Sequence, residues 1–166
     1  QGRSRRRQLS LARKLGIRSF TQPAGGCCIL LEKTYAARLR DAFDHLGPDR
    51  MKKEDFALLR LGRHFRISPK AKVIVGRHQT ENAELSGFAR GRIKLDFPDV
   101  PGPTALLEGE VSEEELLFAA CIAARYADAP PAEEVRVVAF QDGVARELRV
   151  KPLSPDDPRI KKLRIG

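Results

Sequence analysis

The stretch Lys72-Val73-Ile74-Val75-Gly76-Arg77-His78-Gln79-Thr80-Glu81-Asn82-Ala83-Glu84-Leu85 changes period in its middle. Lys72 to Val75 reads as a short strand and Thr80 to Phe88 as a short helix, so Gly76 marks a strand-to-helix corner. Such a corner gathers helix N-terminal amides, the Arg77 guanidinium and the side chains of His78 and Asn82, a set suited to phosphate oxygens or base edges. The alternative is a tight turn in which Gly76 is the turn residue and Thr80 the cap. Arg63, Arg66, Lys70 and Lys72 just upstream favour binding.

Working outward, the same alternation of periods continues. His64 to Ile67 is a second short strand. Ile93 to Phe97 and Thr104 to Leu107 are two more, separated by the turn cluster Pro98 to Pro103. Ser112-Glu113-Glu114-Glu115 is a capping box with three acids in the first turn of a helix that runs to about Ala127. That helix is rich in alanine, so it can lie close on a sheet. Val135 to Phe140 and Val144 to Val150 form a hairpin across Gln141-Asp142-Gly143. The tail from Pro152 is rich in proline and charge and is expected to be loosely pinned. Upstream, Arg5 to Leu15 carries an apolar edge and ends at Gly16, and Tyr35, Leu39 and Phe43 recur four apart as on an amphipathic helix that stops before Gly47-Pro48. The class is α+β. A basic helical segment occupies residues 1–50, and residues 51–166 form a small mixed or antiparallel sheet packed by one long Ala-rich helix.

Charge narrows the partners. Of the net +9, residues 1–40 hold ten bases and one acid, whereas the remaining residues sum to zero. That zero is patterned: residues 60–94 carry nine bases and two acids, and residues 95–134 one base and ten acids. Segregated cations attract polyphosphates by releasing condensed counterions, so RNA contact is expected. Arg3, Arg5, Arg6 and Arg7 would contribute from the N-terminal block. Arg63, Arg66, Lys70, Lys72, Arg77, Arg90, Arg92 and Lys94 would contribute from the second, with His64 read as a strand or RNA-facing residue.

Hydrophobic residues make up 42% of the 166, enough for a core, and the absence of Trp argues against an aromatic-rich carbohydrate binder. The longest apolar run, Leu116 to Ala124, is too short to span a bilayer, and no basic segment adjoins a large apolar face. No membrane partner is expected. Three cysteines, two of them adjacent, make no disulfide framework and point to a reducing, cytoplasmic setting.

Catalytic signatures for nucleotide binding, metalloproteolysis or serine hydrolysis are missing. His45, His64 and His78 lie in unrelated segments. Cys27 stands apart, because the loop Thr21 to Gly26 presents it beside a basic block whose field would favour the thiolate of a sulfur carrier. The competing reading makes Cys27 and Cys28 the apolar opening of a buried strand. Cys121, on an Ala-rich helix face, reads as core.

The stretch from Lys72 to Leu85, followed by Pro101-Gly102-Pro103, the capped helix from Ser112 and the strand from Val135, resembles the RNA-binding domain of the NFACT proteins. Gly2 to Gln8, Pro23-Ala24-Gly25-Gly26-Cys27, Arg38 to Asp41 and Leu61 to Arg66 resemble the region after the PP-loop domain in a bacterial family of predicted tRNA thiolation enzymes. The resemblance implies a tRNA-binding C-terminal half of a PP-loop sulfurtransferase, with Cys27 as catalytic sulfur carrier. It implies no cofactor in this chain, ATP and Mg²⁺ belonging to an absent N-terminal domain, and a sulfur-donor protein as a further partner. The alternative is a non-enzymatic binder of RNA or ribosome-associated tRNA, like the NFACT proteins themselves.

Overall fold

The computed structural model describes residues 6–17, 29–130 and 133–166. Arg3, Arg5, Cys27 and the loop that precedes Cys27 lie outside the described residues, as does the side chain of Arg6.

Helix α1 spans Arg6–Lys14 and ends at Gly16, whose φ of +68° suits glycine. After a 3₁₀ turn at Ile29–Leu31 come α2 (Lys33–Leu46), a second 3₁₀ turn at Pro48–Arg50 and α3 (Lys53–Leu58). Then follow β1 (Arg63–Arg66), β2 (Ala71–Val75), α4 (Gln79–Gly87), β3 (Ile93–Asp96) and β4 (Ala105–Gly109). The chain closes with α5 (Glu113–Ala124), β5 (Val135–Gln141), β6 (Val144–Val150) and α6 (Pro158–Leu163).

The six strands form one antiparallel sheet in the order β1-β2-β4-β3-β5-β6. Every residue of β2 is buried, as expected of a strand covered on both faces. Over one face lies α5, whose Ala119, Ala120, Ile122 and Ala123 pack on Phe65, Val73, Leu107 and Val137. Its alanines allow the close approach, and each buried Leu, Ile or Phe of this layer contributes about 1.5–3 kcal/mol. The capping box forms as its spacing predicts: the Ser112 hydroxyl accepts from Glu115 N–H at 3.2 Å, and the Glu115 carboxylate accepts from Ser112 N–H at 2.7 Å. On the opposite face, Leu58 of α3 and Leu85 of α4 cover Ile74 and Leu106, over β2 and β4. Among the described residues, no helix covers the β3, β5 and β6 portion of that face.

Helix α2 docks beside β1 in a way that its apolar spacing does not announce. Tyr35 and Ala42 are buried, but so is Arg38, while Phe43 stays exposed. Arg38 Nη1 and Nη2 donate to the carbonyls of Leu59 and Gly62 at 2.8 and 2.9 Å, and Arg66 grips Asp41 with two hydrogen bonds. The packed face is thus shifted by a fraction of a turn because a guanidinium satisfies carbonyls at the end of α3 that have no helical partner.

The tail corrects the expectation of loose pinning. Asp157 caps α6, Ile160 enters the main core, Arg164 bridges Phe65, and Ile165 N–H donates to the carbonyl of His64 at 2.9 Å. The outer edge of β1 is therefore covered.

Candidate nucleic-acid interface

A cleft of about 780 Å³ opens where the β1–β2 hairpin, the end of β4, the Arg90–Arg92 turn and the segment from His45 to Asp55 converge. Seven Lys or Arg side chains line it against four Asp or Glu, so the lining has net positive charge. Its floor is a mesh of ion pairs. Lys72 Nζ lies 2.6 Å from Glu108 Oε2, Arg92 Nε lies 2.8 Å from Glu108 Oε1, and Arg92 Nη2 reaches Asp55 at 3.0 Å. Burial pushes the Glu108 carboxyl up, but the charges and hydrogen bonds of Lys72 and then Arg92 outweigh it and hold Glu108 ionised below the usual range. Gly109 ends β4 at φ +99°, where a Cβ would lie 1.8 Å from the Lys70 carbonyl oxygen, so the strand passes the hairpin closer than any other residue allows.

The rim differs from the floor. Arg50, Lys52 and Arg90 are exposed and make no ion pair with a described residue. Lys70 meets Glu110 at 2.6 Å, yet both side chains are exposed, a pairing in water that a phosphate readily replaces. Uncompensated cations over a neutralised base give a surface that attracts anions while its shape is held from below.

At the other end of β1 and β2 stands the Gly76 corner. A Cβ on Gly76 would fall 2.0 Å from Asn82 Oδ1, so any other residue there would push that amide out of its place. Asn82 Nδ2 in turn donates to the Gly102 carbonyl at 3.4 Å, joining the corner to the Pro101-Gly102-Pro103 turn. His78, not Thr80, caps α4: its Nδ1 accepts from Glu81 N–H at 3.4 Å. Arg77 is clamped on Glu81 by its side chain and its backbone N–H. Burial pushes the Glu81 carboxyl up, and the hydrogen bonds and charge of Arg77, with the Gly62 amide, overcome this and lower it to about 2. Arg63 donates to the Gly76 carbonyl and lies 4.5 Å over the Tyr126 ring, which Arg125 approaches at 5.1 Å. Arg38 is lowered to about 10, first by burial and then by the charges of Arg77 and Arg164.

The cleft brings together Arg66, Lys70, Lys72, Arg90 and Arg92, and the corner holds Arg63, Arg77, His78 and Asn82. Arg7 is exposed on α1. Lys94 lies outside both, paired with Asp96 at 2.5 Å and 5.1 Å from the Phe140 ring centre. Two readings need correction. His64 is fully buried, its Nε2 2.8 Å from the Leu61 carbonyl oxygen, because the alternation of β1 turns it under α2 and α3. Lys72 is buried as well, since the register of β2 against β4 sets it opposite Glu108. The sequence segregation of charge is likewise undone in part by folding, for Lys70, Lys72, Arg92 and Lys94 all pair with acids between Asp96 and Glu110.

Arg50 and Lys52 also line the cleft without having stood out in the sequence, as does His45, which stood there only as an isolated histidine. Composition gave no signal for the two cations, since Arg50, Lys52 and Lys53 stand among Asp44, Asp49, Glu54 and Asp55 in the sequence. Among the described residues, no three of His, Cys, Asp and Glu are placed to hold a metal ion.

The sequence profile described as NFACT protein RNA binding domain matches residues 62–161. Among solved structures, the chain is similar to the C-terminal part of the fibronectin/fibrinogen-binding protein from Streptococcus suis, with 20% identity and a TM-score of 0.53. The likeness covers 80% of this chain and 61% of that one, and it concerns the fold. No curated protein matches. The matched span runs from the start of β1 into α6, taking in the hairpin wall of the cleft and the whole Gly76 corner, and the chain belongs to the NFACT RNA-binding domain family.

Proposed function

We propose that the chain binds structured RNA, with tRNA as the preferred partner, through the cleft between α2, α3 and the β1–β2 hairpin, and that it acts as a binding module. The observation that carries this reading is the rim of Arg50, Lys52 and Arg90, exposed and uncompensated above a floor of satisfied ion pairs. Phosphates docking there release counterions at little conformational cost, since the floor fixes the cleft beforehand. Titrating labelled tRNA with the chain at several salt concentrations tests it. Affinity should fall by orders of magnitude between roughly 50 and 200 mM salt. Unaltered affinity in a triple Arg50→Ala, Lys52→Ala, Arg90→Ala variant refutes the assignment.

A finer proposal makes this module the tRNA-holding half of a thiolation enzyme, with Cys27 as sulfur carrier and ATP and Mg²⁺ bound by a preceding domain. Its support is the resemblance around Pro23 to Cys27. Fast iodoacetamide labelling of Cys27 near neutral pH is the expected result, and labelling no faster than at Cys121 removes the proposal.

A further inference from the structure

The two edges of the sheet are finished differently. Along β1 the tail closes the edge through the Phe65–Arg164 bridge and the Ile165 N–H. Strand β6 is paired with β5 on one side, and no described residue hydrogen-bonds its backbone on the other. Over seven residues it carries no bulge and no proline, and its first four residues are exposed. Such an edge is a template for another strand.

The geometry of the hairpin says which groups it offers. Asp142 and Gly143 have φ of +48° and +86°, a two-residue turn that makes Gln141 and Val144 a hydrogen-bonded pair. In an antiparallel ladder such pairs alternate, so Val144, Arg146, Leu148 and Val150 turn their N–H and C=O toward β5. Ala145, Glu147 and Arg149 turn theirs outward.

We propose that this edge pairs with β6 of a second copy of the chain, antiparallel about a two-fold axis at Leu148, joining two sheets into one. Charge selects the occupant, and charge and strand length together select the register, since an axis at Ala145 pairs only Val144 to Arg146 before the Asp142-Gly143 turn ends the strand. With the axis at Leu148, Glu147 faces Arg149 of the second copy, and the two-fold repeats the pair. An axis at Arg146, Glu147 or Arg149 sets that residue against its own copy, and one at Val150 sets Arg149 against Lys151. Each of these brings like charges face to face, which is destabilising in cross-strand pairs. The edge's outward residues carry one cation and one anion and are self-complementary, whereas a polyanion gains nothing from them. Arg146 is held by Glu113 on the α5 side, and Glu147 meets Arg136 of β5 at 2.8 Å, an exposed pairing in water that Arg149 of the second copy joins or replaces.

Sedimentation of the RNA-free chain over a concentration series is the test. The wild type should reach twice the 18.5 kDa of one chain. Glu147→Arg and Arg149→Glu, which each place like charges across the axis, should remain at the single-chain mass. An equimolar mixture of the two variants restores both opposite pairings, and the double-mass species should return. A wild type that stays at single-chain mass, variants that still dimerise, or a mixture that fails to recover the dimer each overturn the proposal.

Discussion

Lys72 and Glu108 face each other across the β2–β4 ladder with Nζ 2.6 Å from Oε2, one drawn from the basic part of the chain and the other from the acidic part. Arg92 completes the set on the second carboxylate oxygen. Removing the carboxylate leaves Lys72 buried without a counter-charge and leaves Arg92 with Asp55 alone. Glu108→Gln should therefore cost about 3 kcal/mol in urea unfolding, the low end for breaking a buried pair. It should also weaken RNA binding only by depleting the folded protein, so the salt dependence of binding stays as in the wild type.

The rim behaves in the opposite way. Arg90→Ala removes an exposed side chain that makes no ion pair with a described residue, so stability should change by less than about 0.5 kcal/mol. The slope of log affinity against log salt should fall by about one for each phosphate that the deleted side chain neutralises in the wild type. Binding isotherms of Arg50→Ala and Arg90→Ala, singly and together, check whether the slopes add.

Arg38 fastens α2 to the connection between α3 and β1 by donating to the carbonyls of Leu59 and Gly62. In Arg38→Ala both acceptors lose a charged donor, at about 1.5–3 kcal/mol each before any relaxation. Hydrogen exchange should show the amides of Lys33–Leu46 losing protection well before those of β2 and β4. Uniform loss across all elements contradicts an anchoring role for this residue.

Acid should weaken the fold in two separate windows. His64 is buried neutral: burial, then the charges of Lys72 and Arg38, hold its pKa well below the ordinary 6.5. The unfolded chain thus binds a proton that the native chain refuses, and stability declines as pH falls below about 6.5. Glu81, lowered from 4.5 to about 2, contributes stability that is complete above its unfolded value and is lost as pH falls toward 2. Thermal melts of His64→Phe should lose the upper slope and keep the lower one, whereas those of Glu81→Gln should keep the upper slope and flatten the lower one, to which Glu108 still contributes.

The strands, α4, α5 and the β5–β6 turn were legible because each rests on a local rule: alternation, a capping box, an Asp-Gly pair at positive φ. Helix α3 and the capped α6 were not legible. Each is only six residues long, too short for a periodic signal, and α6 is fixed by Ile160 entering a core assembled from distant segments. The same limit governs the site. Composition revealed that cations are clustered, but it could not reveal that His64 and Lys72 turn inward, since that depends on strand register. Nor could it show that Arg50 and Lys52 come to line one cleft with Arg90, an arrangement fixed in part by the pairing of Asp55 on α3 with Arg92.

The chain has two tyrosines and no tryptophan, so its near-ultraviolet emission has two sources of different character. Tyr126 has guanidinium groups over its ring, whereas Tyr35, on α2, donates its hydroxyl to the Phe56 carbonyl. In a Tyr126→Phe protein the remaining fluorophore reports on the docking of one helix alone, giving a label-free optical gauge of local detachment built from the chain's own side chains.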